Sequence, residues 1–190
     1  MKRKSLSRRE FLGATGKAVV AVAACKWTCG EACAANASDA CLDAICGIYC
    51  AACPALMESL SAKKSSDVKC LGCKSTKKPS VYGPKCEVKK CAKAKQVQSC
   101  GLCKQYPCEK IQKFFNDTPK YGLREKYLNM VRDKGLKAWL DEMKTRWACA
   151  KCQTPFGYAM KTCKKCGEKI YSDAEEFEEF KKEKAAKAKV

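Results

Sequence analysis

The chain has 190 residues, 18 of them cysteine and none histidine, and its 39 basic and 20 acidic residues leave a formal charge of +19. That share of cysteine marks a chain stapled by disulfides or by thiolate-bound metal, and the missing histidine excludes imidazole ligands, His triads and His acid–base catalysis. The basic balance leaves nucleic acid or an anionic membrane open on charge alone, although metal-bound thiolates would offset part of it.

The N-terminus is basic and continues Ser7-Arg8-Arg9-Glu10-Phe11-Leu12-Gly13, followed by a short apolar run over residues 18–25. Eight apolar residues cannot span a bilayer core, which takes about 20 in a helix. A basic start, a short apolar stretch and small residues fit a targeting segment. The motif resembles the twin-arginine (Tat) translocation signal, with Arg8, Arg9, Phe11 and Leu12 as its recognised residues. The resemblance implies a Tat translocase as partner during export, a periplasmic or envelope location, and transport of a chain already folded. That route suits a protein that takes up metal in the reducing cytoplasm, because threading into an oxidising space favours disulfides. Two ends of the signal are open. Ala35-Asn36-Ala37 is a cleavage site that makes residues 1–37 the signal, whereas Val22-Ala23-Ala24-Cys25 is a lipobox that would place a lipid on Cys25 and tie the protein to a membrane.

Residues 38–117 form a ten-cysteine module. Its thiols are Cys46, Cys50, Cys53, Cys70, Cys73, Cys86, Cys91, Cys100, Cys103 and Cys108, with Cys41 standing just before them. Cysteines two residues apart reach one ion at about 2.3 Å from a tight turn, whereas structural disulfides seldom use that spacing. The chain holds five such pairs: 50/53, 70/73, 100/103, 149/152 and 163/166. Redox pairs usually occur singly at a helix start in a βαβ setting, which is missing, so the pairs read as metal ligands. The expected grouping is 50/53 with 70/73, and 100/103 most simply with Cys86 and Cys91, leaving Cys46 and Cys108 as spares or as replacements in either shell. The 46/50/53 spacing also occurs in radical S-adenosylmethionine enzymes, but the alternating strands and helices of their barrel are absent. A ferredoxin's compact four-cysteine run is absent too, and an iron–sulfur cluster remains the alternative to zinc.

The order Cys46-Gly-Ile-Tyr-Cys50-Ala-Ala-Cys53, Cys70-Leu-Gly-Cys73, Cys86 and Cys91-Ala92, then Cys100-Gly-Leu-Cys103 and Tyr106-Pro107-Cys108, resembles the bacterial and archaeal domain-of-unknown-function (DUF) family 3795. Ile48 stands where that family usually has Leu, and Val88-Lys89 where it has Ile-Arg; no cysteine is lost. The resemblance implies metal binding and carries no biochemical activity.

Helical signals lie between the thiols. Pro54 opens one segment, residues 87–98 lack glycine and proline, and Cys108, Ile111 and Phe115 share a stripe. Residues 118–147 form a helical connector. Leu123, Tyr127, Met130 and Val131 follow a 3.6 period, Gly135 breaks it, and Leu136, Trp139, Leu140 and Met143 resume it. Gly135-Leu-Lys-Ala-Trp139-Leu and Arg146-Trp147 resemble stretches in relatives of that family, and the resemblance implies that Trp139 and Trp147 anchor the connector to the cysteine module.

Residues 148–171 carry Cys149, Cys152, Cys163 and Cys166, a spacing that resembles a zinc ribbon with a β knuckle. Gly167 suits the left-handed backbone after the second pair, and Gln153 replaces the glycine expected after the first. Residues 172–190 read as a charged terminal helix with Asp173 and Glu176 as its capping box. Its acids lead and its lysines trail, as the helix dipole prefers.

The expected fold is a small, mostly α, irregular domain stapled by metal, with a C-terminal zinc-ribbon-like β knuckle and a terminal helix. The expected function is that of an exported cysteine-rich metal-binding protein with structural Zn²⁺, acting on a protein partner as an interaction or accessory module. The alternative is an iron–sulfur electron-transfer protein or redox enzyme of the envelope. No general base, oxyanion site or phosphate loop argues for catalysis, and export argues against nucleic acid.

Overall fold

The computed structural model describes residues 40–77 and 83–188. The export motif, the cleavage site and Cys25 lie outside the described residues, as does part of the basic loop after Lys74. Pro54 starts α1 (Pro54–Ser61), where its locked φ and missing N–H cost nothing. Next comes α2 (Glu87–Ala94). It stops short of the expected residue 98 because Gln96 takes φ +53° and Val97 N–H returns to Ala92 O at 3.0 Å. The short α3 (Glu109–Gln112) follows. Two 3₁₀ turns, η1 (Cys50–Ala52) and η2 (Ser65–Asp67), flank α1, and a third, η3 (Cys100–Leu102), precedes α3.

The connector is a hairpin of two helices, α4 (Pro119–Lys134) and α5 (Leu136–Arg146), hinged at Gly135 with φ +84°. The terminal helix α6 (Asp173–Lys187) lies along α4. Gly122 permits that docking: a Cβ there would sit 2.0 Å from the Phe177 ring. The expected capping box is displaced by one residue. Ser172 Oγ accepts from Glu175 N–H, and Glu175 accepts from Ser172 N–H at 2.8 Å. The Ser172 backbone and Lys169 hold the Glu175 carboxyl down to about 2. Asp173 is instead buried and accepts from Ala159 N–H, while Glu176 turns into the protein. Tertiary partners took both expected capping residues.

The expected β knuckle is not formed as strands. Among the described residues there is no strand, only isolated antiparallel bridges at Asp43–Tyr49, Ala148–Pro155 and Thr162–Lys169. Each C-terminal cysteine pair sits on a turn so tight that its flanks pair once and then part. No described helix is long and apolar enough to cross a membrane.

One apolar core joins the parts. Tyr49 and Ala52 from η1 and its approach pack with Leu123, Tyr127 and Val131 of α4, Trp139 and Met143 of α5, and Trp147. Phe156, Tyr158, Ile170, Phe177 and the ribbon thiols Cys149 and Cys163 complete it. Trp147 packs edge-on to Tyr158 with centroids 4.6 Å apart, and Trp139 meets Tyr49 edge-on at 6.1 Å, arrangements that favour the aromatic quadrupoles. On its other face α4 gives Leu128 to a second core with Ile45, Val88, Ala92, Tyr106 and Ile111.

A carboxylate ties the helices beside this core. Glu176, 3% exposed, accepts from Lys126 Nζ, the Tyr127 hydroxyl and Arg146 Nε, each at 2.9 Å. The Arg146 guanidinium lies over the rings of Trp147 and Tyr171, at 4.7 and 4.5 Å. Removing Glu176 takes the carboxylate from the largely buried Arg146 guanidinium and the acceptor from the Tyr127 hydroxyl. Glu176→Ala should therefore cost about 3 kcal/mol, read as a lower urea midpoint with an unchanged slope.

Candidate metal centre

The C-terminal site is built from two similar turns. In the first, Gln153 N–H donates to Cys149 O at 2.8 Å and Cys149 N–H donates to Thr154 O at 2.9 Å. In the second, Gly167 N–H donates to Cys163 O at 2.9 Å and Cys163 N–H donates to Glu168 O at 2.8 Å. Each turn ends on a left-handed residue, Gln153 at φ +56° and Gly167 at φ +71°. Glutamine thus adopts the glycine conformation at the position where the sequence lacked one.

The turns bring Cys149, Cys152, Cys163 and Cys166 together, with all four sulfurs within 4.8 Å of one another. Cys149 and Cys166 Sγ are 3.7 Å apart, and Cys152 and Cys163 Sγ are 3.5 Å apart. A tetrahedron of thiolates at 2.3 Å from one ion has edges of about 3.8 Å, whereas a disulfide would draw two sulfurs to about 2.05 Å. Cys149 and Cys163 are buried in the main core, and Cys152 and Cys166 are half-buried. Thr154, with Oγ1 3.2 Å from Cys152 Sγ, holds that thiol down to about 6. The quartet can take one soft or borderline cation in a closed site, with no position left for a substrate.

The module's thiols are arranged differently. No described cysteine is bonded to another. Cys50 sits among the expected partners: burial, then the neighbouring Cys73, Cys46, Cys53 and Cys70, push it well above the usual thiol range. Two N–H groups reach sulfur nearby. Gly72 N–H donates to Cys70 Sγ at 3.3 Å, and Lys120 Nζ lies 3.5 Å from Cys53 Sγ.

Of the second expected grouping, Cys91, Cys100 and Cys103 meet at one cavity, with Cys108, one of the two spares or replacements, beside them. Cys86 is not among its walls. The cause is helical geometry. Cys86 caps the start of α2 while Cys91 lies more than a turn further on, and Cys108 is brought in by the start of α3. Cys86 neighbours the half-buried Cys46, whose thiol is pushed up by burial. Cys41 is fixed by its N–H to Leu71 O at 2.9 Å and lies beside Gly72. That Cys108 joins Cys91 at one cavity depends on how α2 and α3 pack around Ile111 and Ala92.

Residues 42–113, the stretch that carries all ten of these cysteines, match a family described as "Protein of unknown function (DUF3795)". No curated protein and no solved structure matches the chain.

The two left-handed positions make opposite demands. Gln153→Gly should stabilise the protein by about 1 kcal/mol, because glycine meets no penalty at positive φ. Gly167→Ala should cost about as much, since a Cβ there meets nothing within 4 Å and only the backbone resists. Thermal denaturation of the metal-loaded variants checks both signs.

Proposed function

We propose that this is an exported cysteine-rich metal-binding protein whose C-terminal quartet holds a structural zinc ion and whose folded surface serves a protein partner. The observation that carries the reading is the closure of Cys149, Cys152, Cys163 and Cys166, whose 3.5 and 3.7 Å sulfur pairs suit one tetrahedral ion. Zinc is favoured because it is borderline-soft, lacks redox chemistry and accepts four thiolates without geometric strain. Two of the ligands lie in the main core, so bound metal reinforces the same packing that joins α4, α5 and α6. A chain whose apolar surface is limited gains folding free energy from such a site.

Metal analysis of the purified full chain tests this. One zinc should be assignable to the quartet, and Cys163→Ser should lose that equivalent and lower the melting temperature. A variant that keeps its full zinc content would refute the site.

Export rests on Ser7-Arg8-Arg9-Glu10-Phe11-Leu12, and the proposed location is the periplasm or envelope, with a lipid on Cys25 as the alternative to cleavage after Ala37. Replacing Arg8 and Arg9 by Lys should leave the protein in the cytoplasm, as read by cell fractionation. Unchanged export would remove the translocase from the scheme.

A further inference from the structure

The unit built from α2, η3 and α3 carries an unbalanced charge. Residues 85–113 hold eight lysines and two glutamates, with no aspartate and no arginine. Both carboxylates are engaged by a lysine close by in sequence, Glu87 by Lys90 at 2.9 Å and Glu109 by Lys113 at 2.7 Å. Six lysines are left over on one small unit. The helices α4, α5 and α6 differ, because they interleave the two signs and pair them, as in Lys134–Glu142, Lys137–Asp141 and Lys184–Glu125. A divalent ion on four of the unit's thiolates would add about two negative charges, so the unit stays cationic.

The fold gathers these charges. Ala92 of α2, Lys95 at its end, Cys103 after η3 and Ile111 of α3 line one small cavity. Lys93, Lys104 and Lys110 each adjoin one of these residues in sequence, and with Lys95 all four are exposed. Lys90, and then Lys110 from α3, hold the Glu87 carboxyl below the usual carboxylate range, which puts charges of α2 and α3 on a common face. Leu102 stands at the same place, one residue before Cys103 and 43% exposed. A lone exposed leucine is ordinary, but this one is held out by a fixed turn. Ser99 caps η3 through the Gly101 N–H, and Cys100 N–H donates to Ile45 O at 2.9 Å. Gly101 is pressed on α4, since a Cβ there would be 2.5 Å from Leu128 O, and Leu102 is left facing outward.

The composition of this face selects its partner. Shaped protein interfaces favour arginine and aromatic anchors and are depleted in lysine. Arginine is also the preferred reader of nucleic-acid phosphates. Lysines alone, on flexible stems around one apolar side chain, suit a fluid anionic surface that demands no fixed geometry. We infer that the α2–η3–α3 face is a docking surface for an anionic lipid membrane, with Lys93, Lys95, Lys104 and Lys110 against the headgroups and Leu102 dipping below them. The inference goes beyond the proposed function, because it needs neither zinc in the C-terminal quartet nor a lipid on Cys25.

The test uses the full, metal-loaded chain and vesicles of phosphatidylglycerol and phosphatidylcholine in equal parts. Binding, read by sedimentation, should fall steeply as salt rises from about 0.05 to about 0.5 M. Replacing Lys93, Lys95, Lys104 and Lys110 together by Gln should weaken it about a hundredfold, since each lysine near an anionic surface adds its own attraction. Leu102→Ser should weaken it about tenfold. Replacing Lys63, Lys64, Lys182 and Lys187 by Gln removes the same charge elsewhere and should change binding less than about threefold. The basic N-terminal segment is the same in every form, so differences between variants report the face alone. On the unaltered chain, a water-soluble acylating reagent read by mass spectrometry should label Lys93, Lys95, Lys104 and Lys110 about fivefold less with anionic vesicles than without them. Equal labelling of those four overturns the inference, as does an equal loss of binding in the two quadruple variants. Protection by duplex DNA that persists against excess anionic vesicles overturns it too and assigns the face to nucleic acid. Because labelling is read on the unaltered chain, misfolding of a variant leaves the outcome decisive, and zinc analysis of the same samples scores the C-terminal site separately.

Discussion

Tyr158 reaches from the segment between the two C-terminal cysteine pairs to the first cysteine turn of the module, 109 residues away. Its N–H donates to Ala52 O at 2.9 Å, and its hydroxyl donates to Tyr49 O and accepts from Tyr49 N–H, both at 3.2 Å. Trp147 packs against its ring, and Trp147 O accepts from Phe156 N–H at 3.0 Å. This contact makes one folded body of what would otherwise be a thiol-rich module and a detached ribbon. The Tyr158 hydroxyl and the Tyr49 backbone satisfy each other, whereas the indole N–H groups of Trp139 and Trp147 are buried in the same core without a hydrogen-bond partner among the described residues.

That closure constrains the chemistry. Cys149 follows Trp147 by two residues, and Cys163 lies in the same core, so the C-terminal quartet sits inside the packing rather than on an appendage. Similarly, α4 serves both sides. Leu123, Tyr127 and Val131 face the main core, while Leu128 faces the module's second core beneath Cys100 and Cys103. A change of volume in α4 would be felt on both faces, because close-packed interiors transmit strain.

The two thiol quartets differ as their local backbones differ. In the C-terminal site both pairs lie on turns that fold back within five residues, so the sulfurs crowd together. In the module cavity the thiols come from a helix interior, the flanks of a 3₁₀ turn and a helix start. The tight site suits one ion.

Much of this could be read in the residues. The five two-residue cysteine spacings, the break at Gly135, the apolar stripes of the connector and the dipole-matched terminal helix all report local physics, and the C-terminal quartet follows from spacing because each of its turns is local. Even there, Gln153 showed that a left-handed turn does not require glycine when the flanking hydrogen bonds hold it. The β character expected of the ribbon reduced to single bridges, since too few residues lie between the turn and the core contacts for a ladder to extend. The capping residues shifted because burial claimed Asp173 and Glu176 for other partners. The meeting of Cys91 and Cys108 at one cavity, the placement of Cys46 beside Cys86 and the long reach of Tyr158 came only from tertiary structure. A cysteine's spacing along the chain says which thiols share a turn; which turns share a metal depends on how helices pack, and that is decided by apolar contacts far apart in sequence.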